Sequence, residues 1–149
     1  MAYAENTTVN AEKSKADIEK IIRRFGGNRF MSGWDDIENY GFVVFDIQNL
    51  RLRFTVPMPD HNEGEITDTG RRRKKESAEK VREQEMKRRW RSLLLVIKAK
   101  LEAVETGIST IEHEFLANVV LPNGETIGSK MVPKVKEIAE SGQLPKLIA

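Results

Sequence analysis

The sequence predicts an α+β fold, in which a small antiparallel sheet packs with helices and one long helix is central. Three observations predict it: a helical repeat over residues 11–25, an alternation of period two over 29–57, and a second helical repeat over 77–105. A chain of 149 residues has the usual size of one domain, so we expect one core.

We predict four segments within this single domain, 1–149. They are a loose arm (1–9), a helix followed by antiparallel strands (10–57), a mobile loop that is acidic and then basic (58–76), and a helical half with a small hairpin (77–149).

The first helix is predicted by isoleucine spacing. Apolar residues recur at i, i+3, i+4 and i+7, which places them on one helical stripe: Ile18, Ile21, Ile22 and Phe25. Asn10 or Thr8 is expected to cap its start. Gly26 and Gly27 are expected to end it, because glycine accepts the left-handed conformation found at helix C-termini.

Strands are predicted at 29–34, 40–47 and 50–56, where aromatic and β-branched residues are frequent. We predict turns at Asp35-Asp36 and at Gln48-Asn49. In the third strand the apolar residues Leu50, Leu52, Phe54 and Val56 alternate with Arg51, Arg53 and Thr55, as in a sheet with one buried face.

The long helix, 77–105, is predicted to have two different halves. Its first half is charged nearly all round, and Gly107 follows its end. The second half carries one apolar stripe, which we assign to the core: Trp90, Leu94, Ile97, Leu101 and Val104, with Leu93, Val96 and Ala99 beside it.

The C-terminal region predicts two shorter helices around a hairpin. Ser109 and Glu112 fit a capping box that would begin a helix ending near Leu116. Residues 119–127 fit a hairpin with a Pro-Asn-Gly turn. The last helix is predicted over 129–141, with Pro133 near its first turn and Gly142 at its end.

Composition excludes several kinds of chemistry. There is no cysteine, so disulfides, thiolate metal sites and cysteine nucleophiles are excluded. The longest apolar run, 93–97, is far shorter than the ~20 residues that cross a bilayer, and the N-terminal residues lack the apolar stretch of a secretory signal. We therefore expect a cytoplasmic protein without a membrane partner.

No motif indicates an enzyme, a cofactor or a metal. The two histidines, His61 and His113, lie on different segments without a recognised ligand spacing. No nucleophile elbow and no phosphate-binding glycine loop occurs. Asp35 and Asp36 are adjacent in sequence and would face opposite ways in an extended segment, so we interpret them as turn residues. We expect no catalytic residues, no cofactor and no bound metal.

The basic segment is the strongest functional signal. From Arg71 to Arg91 the sequence has eleven basic residues and four acidic ones, which gives this segment a net charge of +7, whereas the whole chain has a net charge of +2. Such a patch binds nucleic acid by releasing counterions from phosphates. The candidate binding residues are Arg71, Arg72, Arg73, Lys74, Lys75, Lys80, Arg82, Lys87, Arg88 and Arg91, with Arg51 and Arg53 extending the patch if the sheet lies beside the helix.

A solvated helix face explains the same charges. Glu76 stands four residues before Lys80, and Glu85 four residues before Arg89, which is the spacing of helical ion pairs. Trp34, Tyr40 and Phe42 lie near the predicted sheet, and few other aromatic residues are placed to stack on bases. We interpret Trp90 as the first core residue of the helix rather than as a stacking platform.

The block at 88–128, RRWRSLLLVIKAKLEAVETGISTIEHEFLANVVLPNGETIG, resembles a family of small proteins of tailed bacteriophages and prophages that have no assigned function. The opening MAYAENTTV and the segment FVVFDIQNLRLRFTVPMP carry the same resemblance. The resemblance implies a phage product that acts in the bacterial cytosol and is not a structural head or tail protein. It implies no catalytic residue.

Two functions remain open from the sequence. The first is a phage accessory protein that binds nucleic acid through the basic segment. The second is a counter-defence or host-takeover inhibitor, like an anti-CRISPR protein, whose arginines meet an acidic surface of a bacterial protein. The sequence leaves the oligomeric state open, and a homodimer through the long helix is one alternative, because an apolar stripe that extends beyond one core can pair with a copy of itself.

Overall fold

The fold is α+β, as the sequence predicts. A computed structural model describes residues 10–60, 67, 69–72 and 74–147. The elements are α1 (Ala11–Arg24), β1 (Asn28–Asp35), β2 (Tyr40–Ile47), β3 (Leu50–Pro57), α2 (Lys75–Glu105), α3 (Ile111–Glu114), a 3₁₀ turn (Leu116–Asn118) and α4 (Ile127–Ser141). The predicted arm at 1–9 lies outside the described residues.

Helix α1 begins and ends where its sequence signals stand. The Asn10 side chain accepts a hydrogen bond from the Lys13 amide at 2.7 Å, which satisfies one of the free N–H groups at the helix start. Gly26, at φ 88°, turns the chain away after the last turn. Ile18 and Ile22 are buried on the face that meets the core.

The three strands form an antiparallel sheet in the order β1-β2-β3. Gln48 and Asn49 join β2 to β3 with positive φ angles of 48° and 66°. Two such residues make the tight turn whose twist matches the strands it connects. At the other turn, the Asp35 carboxylate accepts hydrogen bonds from the amides of Ile37 and Glu38 at 2.9 and 3.0 Å. Both predicted turns are confirmed.

One face of the sheet is buried under α1 and α2. Alternate residues of β3, namely Leu52, Phe54 and Val56, point into the core, while Arg51 and Thr55 are exposed on the opposite face. This confirms the predicted alternation. The largest fully buried side chains come from the helices, from β2 and β3, and from the segment after α3: Trp90, Phe45, Phe115, Ile18, Ile22, Leu52 and Ile97.

Trp90 couples α2 to the sheet at Gly41 of β2. The indole is 1% exposed, and a Cβ atom built on Gly41 would lie 2.6 Å from its Cζ2 atom. Glycine at this position therefore lets the ring lie directly on the strand backbone. The ammonium of Lys15 in α1 lies 4.7 Å from the centre of the same ring, so Trp90 contacts α1 as well.

Helix α2 begins at Lys75, two residues before the predicted start, so Lys75 and Glu76 belong to the helix and not to the loop. The predicted apolar stripe is buried from Trp90 to Leu101. Val96 and Ala99, which we placed beside it, are exposed. They lie on the helix face that turns away from α1 and the sheet, and only tertiary packing selects that face.

The C-terminal region corrects three predictions. Thr110, not Ser109, caps α3, and its hydroxyl accepts from the His113 amide at 3.1 Å. The small hairpin is confirmed by the antiparallel bridge of Val120 with Thr126 and by hydrogen bonds from the Leu121 and Ile127 amides to the Glu125 and Val119 carbonyls at 2.7 and 2.9 Å. The Thr126 hydroxyl accepts from the Ser129 amide, so α4 begins at Ile127, two residues before the predicted start. Pro133 consequently stands as the seventh residue of α4 rather than in its first turn.

The Trp90–Gly41 contact predicts a specific mutational coupling. Gly41→Ala should lower the free energy of unfolding by about 1–3 kcal/mol, because the new methyl overlaps the indole. Trp90→Phe removes the overlapping atoms, so the double variant should lose less than the sum of the two single losses. Urea unfolding of all four proteins measures the coupling. Additive losses would contradict this packing.

Candidate nucleic-acid interface

The N-terminal half of α2 carries the basic residues on a stretch that the core hardly covers. Between Lys75 and Arg89, Ala78 is the one buried residue. These 15 residues extend over about 22 Å of helix. From Trp90 onward the buried residues recur at helical spacing, as Trp90, Leu93, Leu94, Ile97 and Leu101, so the predicted division of α2 into a charged half and a core half is confirmed.

Arg89 attaches this basic half to the end of the sheet. Its Nη1 atom donates to the carbonyl oxygen of Pro57 at 2.6 Å, and its Nε atom donates to Glu85 Oε1 at 2.9 Å. Arg88 binds the same carboxylate at 3.2 Å. Arg88 is therefore held by an ion pair of its own helix and is a weaker candidate than the sequence indicated.

Most of the predicted cations have no acidic partner within the described part of the chain. No described carboxylate lies at ion-pair distance from Arg71, Arg72, Lys74, Lys75, Lys80 or Lys87. Arg91 is half-buried beside Trp90. The pKa of Asp17 in α1 is lowered chiefly by its hydrogen bond with Lys13 and also by the charge of Arg91. The expected pair between Glu76 and Lys80 does not form, whereas the pair between Glu85 and Arg89 does. Arg82 is half-buried on the same helix, and Arg73 lies outside the described residues.

Helical geometry places several of these cations on one side of α2. Lys80, Lys87 and Arg91 follow one another at i, i+7 and i+11, so they share one side of α2. Lys98, at i+18, continues the line and is exposed. We call these four residues the lysine–arginine stripe. Lys98 is not among the residues predicted from the sequence because it lies in the apolar half of α2, although its spacing from Lys80 places it on the same side of the helix.

Further positive charge lies before the helix. Lys74 is the N-cap residue, and its side chain makes no capping hydrogen bond, so it leaves N–H groups of the first turn without a side-chain acceptor. The preceding turn is closed by the Thr67 amide, which donates to the Arg71 carbonyl at 2.7 Å, and by Gly70 at φ 84°. Arg71, Arg72, Lys74 and Lys75 are all exposed.

The structure does not join Arg51 and Arg53 to this patch. Both lie on the face of the sheet opposite α2, and Arg51 stands near the β2–β3 turn, about 20 Å along the strand from Pro57, where Arg89 attaches. Arg51 is also engaged: its Nε atom lies 2.9 Å from Asp46 Oδ1. The expected extension of the basic patch over the sheet is therefore wrong.

Other candidates have ordinary structural roles. Trp90 is buried, as we interpreted it. His113 is exposed on α3, and among the described residues no group of three or more metal-binding side chains comes together. His61 lies outside the described residues. No described helix is long and apolar enough to cross a membrane.

Comparison with known proteins identifies no relative: no family model, no curated protein and no solved structure matches this chain.

The Arg51–Asp46 pair predicts a pH-dependent contribution to stability. The hydrogen bond from Arg51 holds the pKa of Asp46 below its ordinary value of 3.8 in the folded state. Stability from this pair is thus present above pH 4 and is lost as the pH falls through the folded-state pKa. Arg51→Gln should lower the free energy of unfolding at pH 7, and the difference from the original protein should shrink towards pH 2. Urea unfolding at several pH values tests this, and a constant difference would contradict it.

Proposed function

We propose that this protein binds nucleic acid through the N-terminal half of α2 and the residues before it. The observation that carries the proposal is a set of cations on and before this helix segment, outside the core, that have no ion-pair partner among the described residues: Arg71, Arg72, Lys74, Lys75, Lys80 and Lys87. Charges that a fold neutralises internally contribute little to binding, whereas exposed unpaired cations release counterions when they meet phosphates.

The spacing of the stripe suits a polyanion. Lys80 and Lys87 are separated by about 10 Å along the helix axis, and Arg91 and Lys98 by the same distance. A helix with charges at such intervals can follow a phosphate backbone over several nucleotides without reading the bases. We therefore expect strong salt dependence and weak sequence preference. The biological setting that we propose is the cytosol of a phage-infected bacterium.

The stripe makes a direct prediction. Lys80→Gln with Lys87→Gln should weaken binding of a labelled single strand or duplex about tenfold or more at low salt. The slope of log affinity against log salt should fall by about one to two, since each lost phosphate contact removes about one counterion. Fluorescence anisotropy at three salt concentrations measures both quantities.

The matched control is Lys136→Gln with Lys146→Gln, which removes the same charge from two exposed lysines near the C-terminus. We expect this control to bind as the original protein does. Equal losses of affinity in both variants would show that binding depends only on the net charge of the protein. If neither the single strand nor the duplex binds at low salt, the proposal is overturned.

One observation favours the alternative of a protein partner. Edge strand β1 and its turn expose three large apolar side chains, Met31, Trp34 and Ile37, at 56%, 69% and 93%. Exposed aromatic and apolar side chains are typical of protein interfaces. Capture from nuclease-treated bacterial lysate separates the two functions, because a protein bound directly stays bound after the nuclease, whereas one bridged by nucleic acid is lost. Trp34→Ser should abolish a direct contact of this kind.

A further inference from the structure

A polar cleft lies at the opposite end of the sheet from the basic half of α2. It is formed between the β2–β3 turn, the start of β1 and the segment around Leu121, and its volume is about 810 Å³. Pockets for small molecules fall in the range of about 300–1,000 Å³. Its polar walls come from Asn28, Arg29, Asp46 and Arg51, and Val120 and Leu121 line another part.

Two arginines share one carboxylate in this cleft. Arg51 donates from Nε and Nη2 to the two oxygens of Asp46, at 2.9 and 3.2 Å. Arg29 reaches the same carboxylate only at 3.8 Å, and its side chain is 75% exposed. Two positive charges against one negative charge leave an excess of one.

The pair with Asp46 orients Arg51 without using all of its donors. A guanidinium has five N–H groups, and Arg51 directs only those of Nε and Nη2 at the carboxylate. The N–H groups of Nη1 and most of the Arg29 donors remain for a ligand. Guanidinium groups fixed in this way suit the oxygens of a phosphate, which they bind with paired hydrogen bonds.

The backbone at Arg29 supports a functional role for its side chain. Arg29 has φ 53°, in the left-handed region that disfavours arginine, and it lies at the irregular step between Asn28 and Met31 where β1 has one extra residue. A bulge of this kind redirects a side chain, and such strained positions concentrate at binding sites. Here the side chain is directed to the cleft, where glycine or asparagine would fit the backbone with less strain.

We propose that this cleft binds a phosphate group between Arg29 and Arg51, carried either by a free nucleotide or by the 5′ end of a nucleic-acid strand. The phosphate takes the place between the two guanidinium groups, on the side away from Asp46. Val120 and Leu121 then provide an apolar wall for the adjoining nucleoside. The site is separate from the α2 interface and does not depend on it.

Isothermal titration calorimetry with inorganic phosphate, adenosine 5′-monophosphate and adenosine tests the site. We expect the two phosphate-bearing probes to bind and adenosine not to bind. Arg29→Asn and Arg51→Gln should each weaken binding about tenfold or more. Arg29→Asn should also leave the melting temperature unchanged or raise it, because asparagine accepts the positive φ.

The control variant is Arg53→Gln, which removes an arginine from the same strand outside the cleft, and it should leave phosphate binding unchanged. Lys80→Gln with Lys87→Gln should also leave it unchanged, so failure of the α2 interface is distinguishable from failure here. Oligonucleotides with a 5′-phosphate or a 5′-hydroxyl distinguish the two sources. If the protein prefers the 5′-phosphate oligonucleotide and Arg29→Asn removes that preference, the ligand is the end of a strand. The proposal is overturned if no phosphate-bearing probe binds, or if all three arginine variants bind equally.

Discussion

The contact of Trp90 with Gly41 decides how the long helix is divided. A tryptophan ring needs a large flat surface to be buried, and the bare backbone of a glycine in the middle strand provides one. Once the ring lies there, the apolar stripe of α2 on its C-terminal side is buried in the core, from Leu93 to Leu101. The residues on its N-terminal side extend past the end of the sheet, where the core offers them few contacts.

This division explains why several cations of the N-terminal half, such as Lys75 and Lys80, have no ion-pair partner in the described part of the chain. Close to Trp90, Glu85 holds both Arg88 and Arg89. Farther out, an exposed ion pair gains little over solvation by water, and Glu76 and Lys80 remain apart. Affinity for polyanions on this segment is therefore compatible with the stability of the fold, because the core does not require these charges to be neutralised.

The arginines of the sheet belong to a different environment. Arg51 alternates with core residues along β3, so it must point away from α2, whatever its charge. Its partner Asp46 stands directly opposite on β2, and the bulge at Arg29 brings a second guanidinium to the same carboxylate. The two basic regions of the molecule thus lie at opposite ends of the sheet, and each has its own geometry.

Sequence patterns by themselves determined the fold class, the two turns of the sheet, and the boundary at Trp90, because each depends on neighbours within a few positions along the chain. Local patterns failed where two signals competed, as at Ser109 and Thr110, and where Thr126 began a helix inside the expected hairpin. Only the tertiary structure decided that Val96 faces outward and that Arg29 and Arg51 meet at Asp46. Each of these arrangements depends on contacts between different helices and strands, and the spacing of residues along one element does not show which of its faces meets another element.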